Sequence, residues 1–158
     1  MNKLHLTVAA IVERHRRYLV VEELAGGQKV INQPAGHVEP GEPLRDAVIR
    51  EMQEETAWRF EPAAISGVYL WQHPENGERF LRVVFCGSCL NHQAEQQLDE
   101  GIIRALWLSR QELEARGPQL RSPMVLRAID DYQDGHRFPV NMFQQIEIED
   151  LAAHAQVV

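Results

Sequence analysis

With 158 residues and a formal charge of −7, the chain is long enough to bury a sizeable core and reads as a single domain over 1–158. An apolar fraction of 44% and a charged fraction of 25% suit an ordinary globular protein, and the acidic balance argues against a groove for a nucleic-acid polymer. No apolar run approaches the roughly 20 residues that span a bilayer. MNKLHLTVAAIVERHRR lacks a long apolar segment ending in a cleavage site. No membrane association and a cytoplasmic location are therefore expected.

In chain order, LHLTVAAIVE mixes alternating and continuous apolar stretches rich in β-branched residues, which predicts a strand. Arg14 to Arg17 form a turn, and RYLVVEEL follows as a second strand. Gly26-Gly27 breaks the chain before KVINQPAG, a third short strand in which Pro34 stiffens the backbone and Gly36 frees it. From Pro43 to Thr56 no Gly or Pro interrupts a composition that favours helix, and Pro43 suits its first position.

EPAAISGVYLWQ and ERFLRVVFCGS read as a hairpin about the turn PENG. Trp71 at its turn end is either a core residue or an exposed ring that stacks on a base. Arg82, inside FLRVV, either meets a substrate phosphate through bidentate hydrogen bonds or points to solvent. Cys86 and Cys89 form a lone CxxC at the end of a strand rather than at the start of a helix, with only His92 close by. Two small, partly buried thiols are expected there, not a redox pair or a zinc site.

NHQAEQQLDEG (91–101) is a polar loop, and IIRALWLS is a strand. Ser109 and Glu112 make a capping box for RQELEA. A last helix is punctuated by Ser122, Pro123 and Gly135, with Met124, Leu126, Ala128, Ile129 and Tyr132 as its packing surface. Residues from about 141 to 158 read as a tail.

The chemistry lies in the helix from Pro43. Leu44, Ala47, Val48, Glu51, Glu55 and Trp58 recur at spacings of three and four, so one face begins apolar and ends acidic. Ionised carboxylates cost several kcal/mol to bury unless paired or metal-bound. Glu51, Glu54 and Glu55, at i, i+3 and i+4, are placed to converge on one hard cation, Mg²⁺ or Mn²⁺. The alternative is a solvated acidic face.

Gly36, five residues, Glu42, seven residues, then Arg50-Glu51-apolar-x-Glu54-Glu55 resembles the signature box of the Nudix hydrolases. Ala57 stands where that family usually has Gly. The resemblance implies an α/β fold, an α/β/α sandwich with a mixed sheet, and metal-dependent hydrolysis of a phosphoanhydride in a small phosphorylated molecule. It implies metal ligation by the Ala35 carbonyl, Glu51, Glu54 and Glu55, with a further carboxylate from Asp99 or Glu100 that the sequence does not rank. Glu51 is then general base or bridging ligand, Arg50 orients a glutamate, and Glu42 is structural. Gln33, Trp71 and Arg82 are the candidate substrate contacts.

NQPAGHVE, LRSPMV and YQDGHRFPV are similar to the NudJ-type branch, whose members act on nucleoside di- and triphosphates and on phosphorylated thiamine precursors. A sanitiser of oxidised purine triphosphates and a Nudix-fold module that binds a nucleotide without cutting it are the alternatives. The group attached to the diphosphate and the oligomeric state stay open.

Overall fold

Strand β1 (Leu4–Arg14) divides the core, because successive side chains of a strand point to opposite faces. Val8, Ala10 and Val12 enter one apolar cluster, Ala9 and Ile11 the other. The computed structural model describes residues 2–147, so most of the expected tail, 148–158, lies outside the described residues.

Beside β1 run β2 (Arg17–Ala25), β3 (Gln28–Asn32) and the short β4 (Ala35–His37). Farther along the chain come β5 (Arg59–Gln72), β6 (Arg79–Leu90) and β7 (Ile102–Ser109). Together they make one seven-stranded sheet ordered β3-β2-β1-β6-β5, with β4 on β1 and β7 on β2. The sheet is mixed, since β1 and β6 are parallel from Leu4↔Arg79 to Val12↔Gly87 while the other pairs are antiparallel.

Helix α1 (Leu44–Thr56) buries Leu44, Ala47, Val48 and Met52 on one face of the sheet. Helix α2 (Arg110–Ala115) and helix α3 (Met124–Gln133) cover the other with Leu113, Ala128 and Ile129. The layering is α/β/α, as expected. Among the described residues no helix is long and apolar enough to cross a membrane.

One feature of the sheet positions everything functional. β1 and β2 pair only at Glu13↔Tyr18 and Arg14↔Arg17, then part, and β4 pairs with β1 at Thr7↔His37, Val8↔Gly36 and Ala9↔Ala35. The segment expected as a single third strand therefore breaks in two. Asn32 still pairs with Val21 of β2, whereas Ala35 pairs with Ala9 of β1. Gln33 and Pro34 make the crossing, and Pro34 has no N–H to give to a ladder.

Elsewhere the local signals operate with small changes. Ser109 Oγ accepts the Glu112 N–H at 3.1 Å, but the Glu112 carboxylate pairs with Arg17 at 2.9 Å instead of closing the box. Ser122 Oγ accepts the Met124 N–H at 3.2 Å. The CxxC lies at the end of its strand, as expected, with Cys89 one residue before the last of β6, Leu90. Cys86 and Cys89, three apart, fall in opposite core clusters, so neither is the other's partner. Burial pushes both thiols above their ordinary range. After α3 the chain returns to β5, where Phe138 and Ile65 exchange backbone hydrogen bonds of 2.8 and 2.7 Å.

Ala57 ends α1 in the left-handed region, with φ 62° and ψ 12°, and its N–H reaches Gln53 O at 3.0 Å. The backbone therefore makes the turn that Gly would make, at about 1–2 kcal/mol for an L residue. Its methyl is 2% exposed, and burying one carbon returns about 0.8 kcal/mol. Ala also has less chain entropy to lose on folding than Gly, by roughly 0.4–1 kcal/mol. These terms nearly cancel, so Ala57→Gly should change stability by less than about 1 kcal/mol in urea unfolding.

Candidate functional site

The apolar first half of α1 anchors the helix, and its second half carries acid to the edge of the sheet. Carboxylate oxygens of Glu51, Glu54 and Asp99 lie within 4.8 Å of one another. Asp99 comes from the 91–101 loop, which docks on the end of α1. The last carbonyls of a helix lack partners within it, and the loop supplies them. The Asp99 N–H donates to Glu54 O and the Gln93 N–H to Ala57 O, each at 3.0 Å. Gln96 Nε2 donates to Gln53 O, and Gln53 Nε2 to Gln96 Oε1, both at 2.6 Å. This docking brings Asp99 to the glutamates and leaves Glu100 outside the group, both residues being exposed.

Glu55 stands apart from the three. It is 4% exposed, its Oε1 accepts the Ala35 N–H at 2.9 Å, and burial pushes its carboxyl up to about 9. Gly36, the next residue of β4, is required by close approach. A Cβ there would lie 2.1 Å from Cδ of Glu51.

Arg50 ties the cluster together. Nε and Nη2 grip Glu42 at 2.7 and 2.9 Å, a bidentate pair, while Nη1 donates to Glu51 at 2.9 Å and Glu54 at 3.2 Å. Nη2 also reaches the His37 carbonyl at 3.1 Å. Arg50 holds the Glu42 carboxyl below its ordinary range. Burial lifts Glu51, and burial with the neighbouring Asp99 lifts Glu54. Glu42, Glu51 and Glu54 thus share one guanidinium while Asp99 stands beside the last two, leaving uncompensated negative charge on hard oxygen donors. That donor set fits a hard divalent cation such as Mg²⁺ or Mn²⁺.

On the α3 side, a cavity of about 640 Å³ abuts β4 and is lined by Ala35, Gly36 and His37. Trp71 lines it half-buried, tilted against Phe80 with ring centroids 5.8 Å apart, so it is neither a pure core residue nor a free ring. Arg82 lines it too, at 6% exposure, which rules out the solvent-facing alternative. Its Nη1 donates to Asn32 Oδ1 at 3.2 Å and Gln33 Oε1 at 3.5 Å, and burial lowers its guanidinium to about 10.

Gln33 departs from the expectation. It is 1% exposed, absent from the cavity wall, and donates to the Val125 carbonyl at 2.8 Å. Its polar reach is spent bridging β4's approach to α3 and steadying Arg82. Thr7, Asn32 and Arg121 also line the cavity, and sequence reasoning passed over them. A polar residue within an apolar strand, as Thr7 is, was the available signal.

The family model for the NUDIX domain matches residues 3–128. The chain is 37% identical over 142 residues to "Phosphatase NudJ" of Shigella boydii serotype 4 (strain Sb227), covering 90% of this chain and 92% of that protein. "Phosphatase NudJ" of Escherichia coli (strain K12) matches with the same identity and coverage. Among solved structures, a NUDIX hydrolase from Nitrosomonas europaea superposes with a TM-score of 0.88 at 41% identity, over 91% of this chain and 98% of that one.

The Glu42–Arg50 pair has a pH signature. A carboxyl held low in the folded state contributes stability above its unfolded pKa and loses it as pH falls through the folded value. In EDTA, Glu42→Gln should flatten the acid limb of the stability curve followed by circular dichroism. An unchanged limb would mean that the pair contributes nothing measurable.

Proposed function

The chain belongs to the Nudix hydrolase family, and from that premise we propose that it hydrolyses phosphoanhydride bonds of nucleoside di- and triphosphates or of thiamine-precursor diphosphates, with a divalent cation. The observation that carries this reading is the convergence of Glu51, Glu54 and Asp99 on the end of a helix oriented by Arg50. The similarity to proteins named Phosphatase NudJ supports a reaction that releases phosphate.

In this reading Glu51, Glu54 and Asp99 hold the Mg²⁺ or Mn²⁺, with Glu55 and the Ala35 carbonyl at its β4 side. When bound, such an ion supplies neutralisation of phosphate oxygens and activation of water. The protein's own groups do the rest. Arg50 aims Glu51 and Glu54, and Glu42 fixes Arg50. Glu51 takes the proton of the attacking water, the work of a general base. Glu55 holds the Ala35 amide, and so keeps Gly36 against Glu51. Glu100, exposed beyond the cluster, is left without a role. Trp71 and Arg82 face the organic or distal part of the substrate, and Gln33 supports Arg82 from behind.

Phosphate release should require added Mg²⁺ and stop in EDTA; full activity in EDTA would overturn the cation requirement. Glu51→Gln should lower kcat by on the order of 10²-fold or more, and an unchanged rate would move the base to Asp99. Gly36→Ala, whose methyl collides with the Glu51 carboxyl, should lower kcat while leaving the thermal midpoint near wild type. Equal activity in that variant would show that Glu51's placement against β4 is dispensable.

A further inference from the structure

Arg82 carries a buried charge that the described residues do not neutralise. It lies on β6 opposite Thr7 of β1, and both residues line the cavity. Its hydrogen-bond partners are the neutral side-chain oxygens of Asn32 and Gln33, and no carboxylate among the described residues stands within 4.0 Å. Its Nε and the Thr7 Oγ1 are both buried without a hydrogen-bond partner.

The charged groups nearest in effect are Arg121, Glu23 and Glu55. Glu23 is engaged by Arg121 at 2.8 Å, and Glu55 by the Ala35 amide at 2.9 Å. A buried cation without a counter-ion is costly, because no partner charge repays its desolvation. Two orphaned polar groups, adjacent on neighbouring strands and facing one cavity, are the pattern left when the missing partner belongs to a ligand.

We infer that Arg82 and Thr7, with Arg121 beside them, form an anion subsite that takes a phosphate or carboxylate of the substrate beyond the diphosphate that is cut. The inference rests on the hydrolase reading for its location, since the cavity abuts the β4 wall behind Glu51 and Glu55. It narrows the substrate class to molecules with a further anionic group. That group is either a third phosphate in the chain or an acid on the organic half.

The test separates the subsite from the hydrolysis. Inorganic phosphate is titrated calorimetrically into the full chain in EDTA, where no cation can bridge it to the glutamates. Wild type should bind, Arg82→Gln and Arg82→Met should weaken binding about tenfold or more, and Thr7→Val by a smaller factor. Equal phosphate affinity in wild type and Arg82→Gln would overturn the proposal. So would binding of an uncharged nucleoside, but not phosphate, that is lost in Arg82→Gln.

Arg82→Met should be at least as stable as wild type without ligand. Should it fail to fold, Thr7→Val and Arg121→Gln decide by the same titration. With Mg²⁺, Arg82→Gln should lower kcat/KM selectively. The loss falls on a nucleoside triphosphate over its diphosphate if the anion is a third phosphate, or on a 3′-phosphorylated nucleoside diphosphate if it is an acid on the organic half. An equal loss on all three would overturn it. Phosphate binding that persists without any hydrolysis would leave the subsite standing and sink only the hydrolase reading.

Discussion

One guanidinium holds the acidic end of this molecule together. Arg50 is bonded to Glu42, Glu51, Glu54 and the His37 carbonyl, so the helix, the turn before it and β4 meet on one planar, permanently charged group. Lysine has no such fork and would serve one or two of these partners at a time. The grip on Glu42 is bidentate and leaves Nη1 for the two glutamates farther along the helix, so orientation passes from the structural pair to the chemical one. The negative charge that Arg50 leaves uncompensated is what a divalent cation would neutralise.

That charge has to be delivered to a place where a substrate fits, and the sheet does this by coming apart. β1 and β2 separate after two paired positions, and β4 occupies the gap. α1 lies on one face of the sheet and the cavity on the other, yet both touch β4. Gly36 faces the Glu51 carboxyl, Ala35 donates to Glu55, and both, with His37, wall the cavity. A continuous sheet would have put an unbroken layer of backbone between acid and substrate.

Stability is spent in this region and made up elsewhere. Glu55 is buried with a neutral amide as its partner, and Arg82 is buried against two neutral side chains. The two apolar clusters that flank β1 carry no comparable conflict. Their alternation from Val8 to Val12 is fully buried and regular. Conflicts beside a regular core are the pattern expected where a chain keeps groups for chemistry rather than for folding.

The sequence by itself determined most of the strands, the three helices and the glutamates of α1, because period, capping and i, i+3, i+4 spacing are local properties of a chain; the layered α/β/α class came with the resemblance of the Gly36–Glu55 box, since periodicity alone does not single it out. It also placed Arg50 beside its carboxylates, and it singled out Gly36 for backbone freedom, whereas the structure requires glycine there for the close approach of Glu51. Only the tertiary structure chose Asp99 over Glu100, because that choice depends on which loop amides reach the orphan carbonyls at the end of α1. Only the tertiary structure turned Gln33 inward to α3, divided the third strand between β2 and β1, and parted Cys86 from Cys89 across the sheet. Each of these follows from contacts between segments far apart in the chain, which no local pattern encodes. Arg82 shows the boundary most clearly. Its presence in an apolar strand was legible as an anomaly, but that it is buried, uncompensated and turned to a cavity was decided by Thr7, Asn32 and Gln33 arriving from three other stretches of the chain.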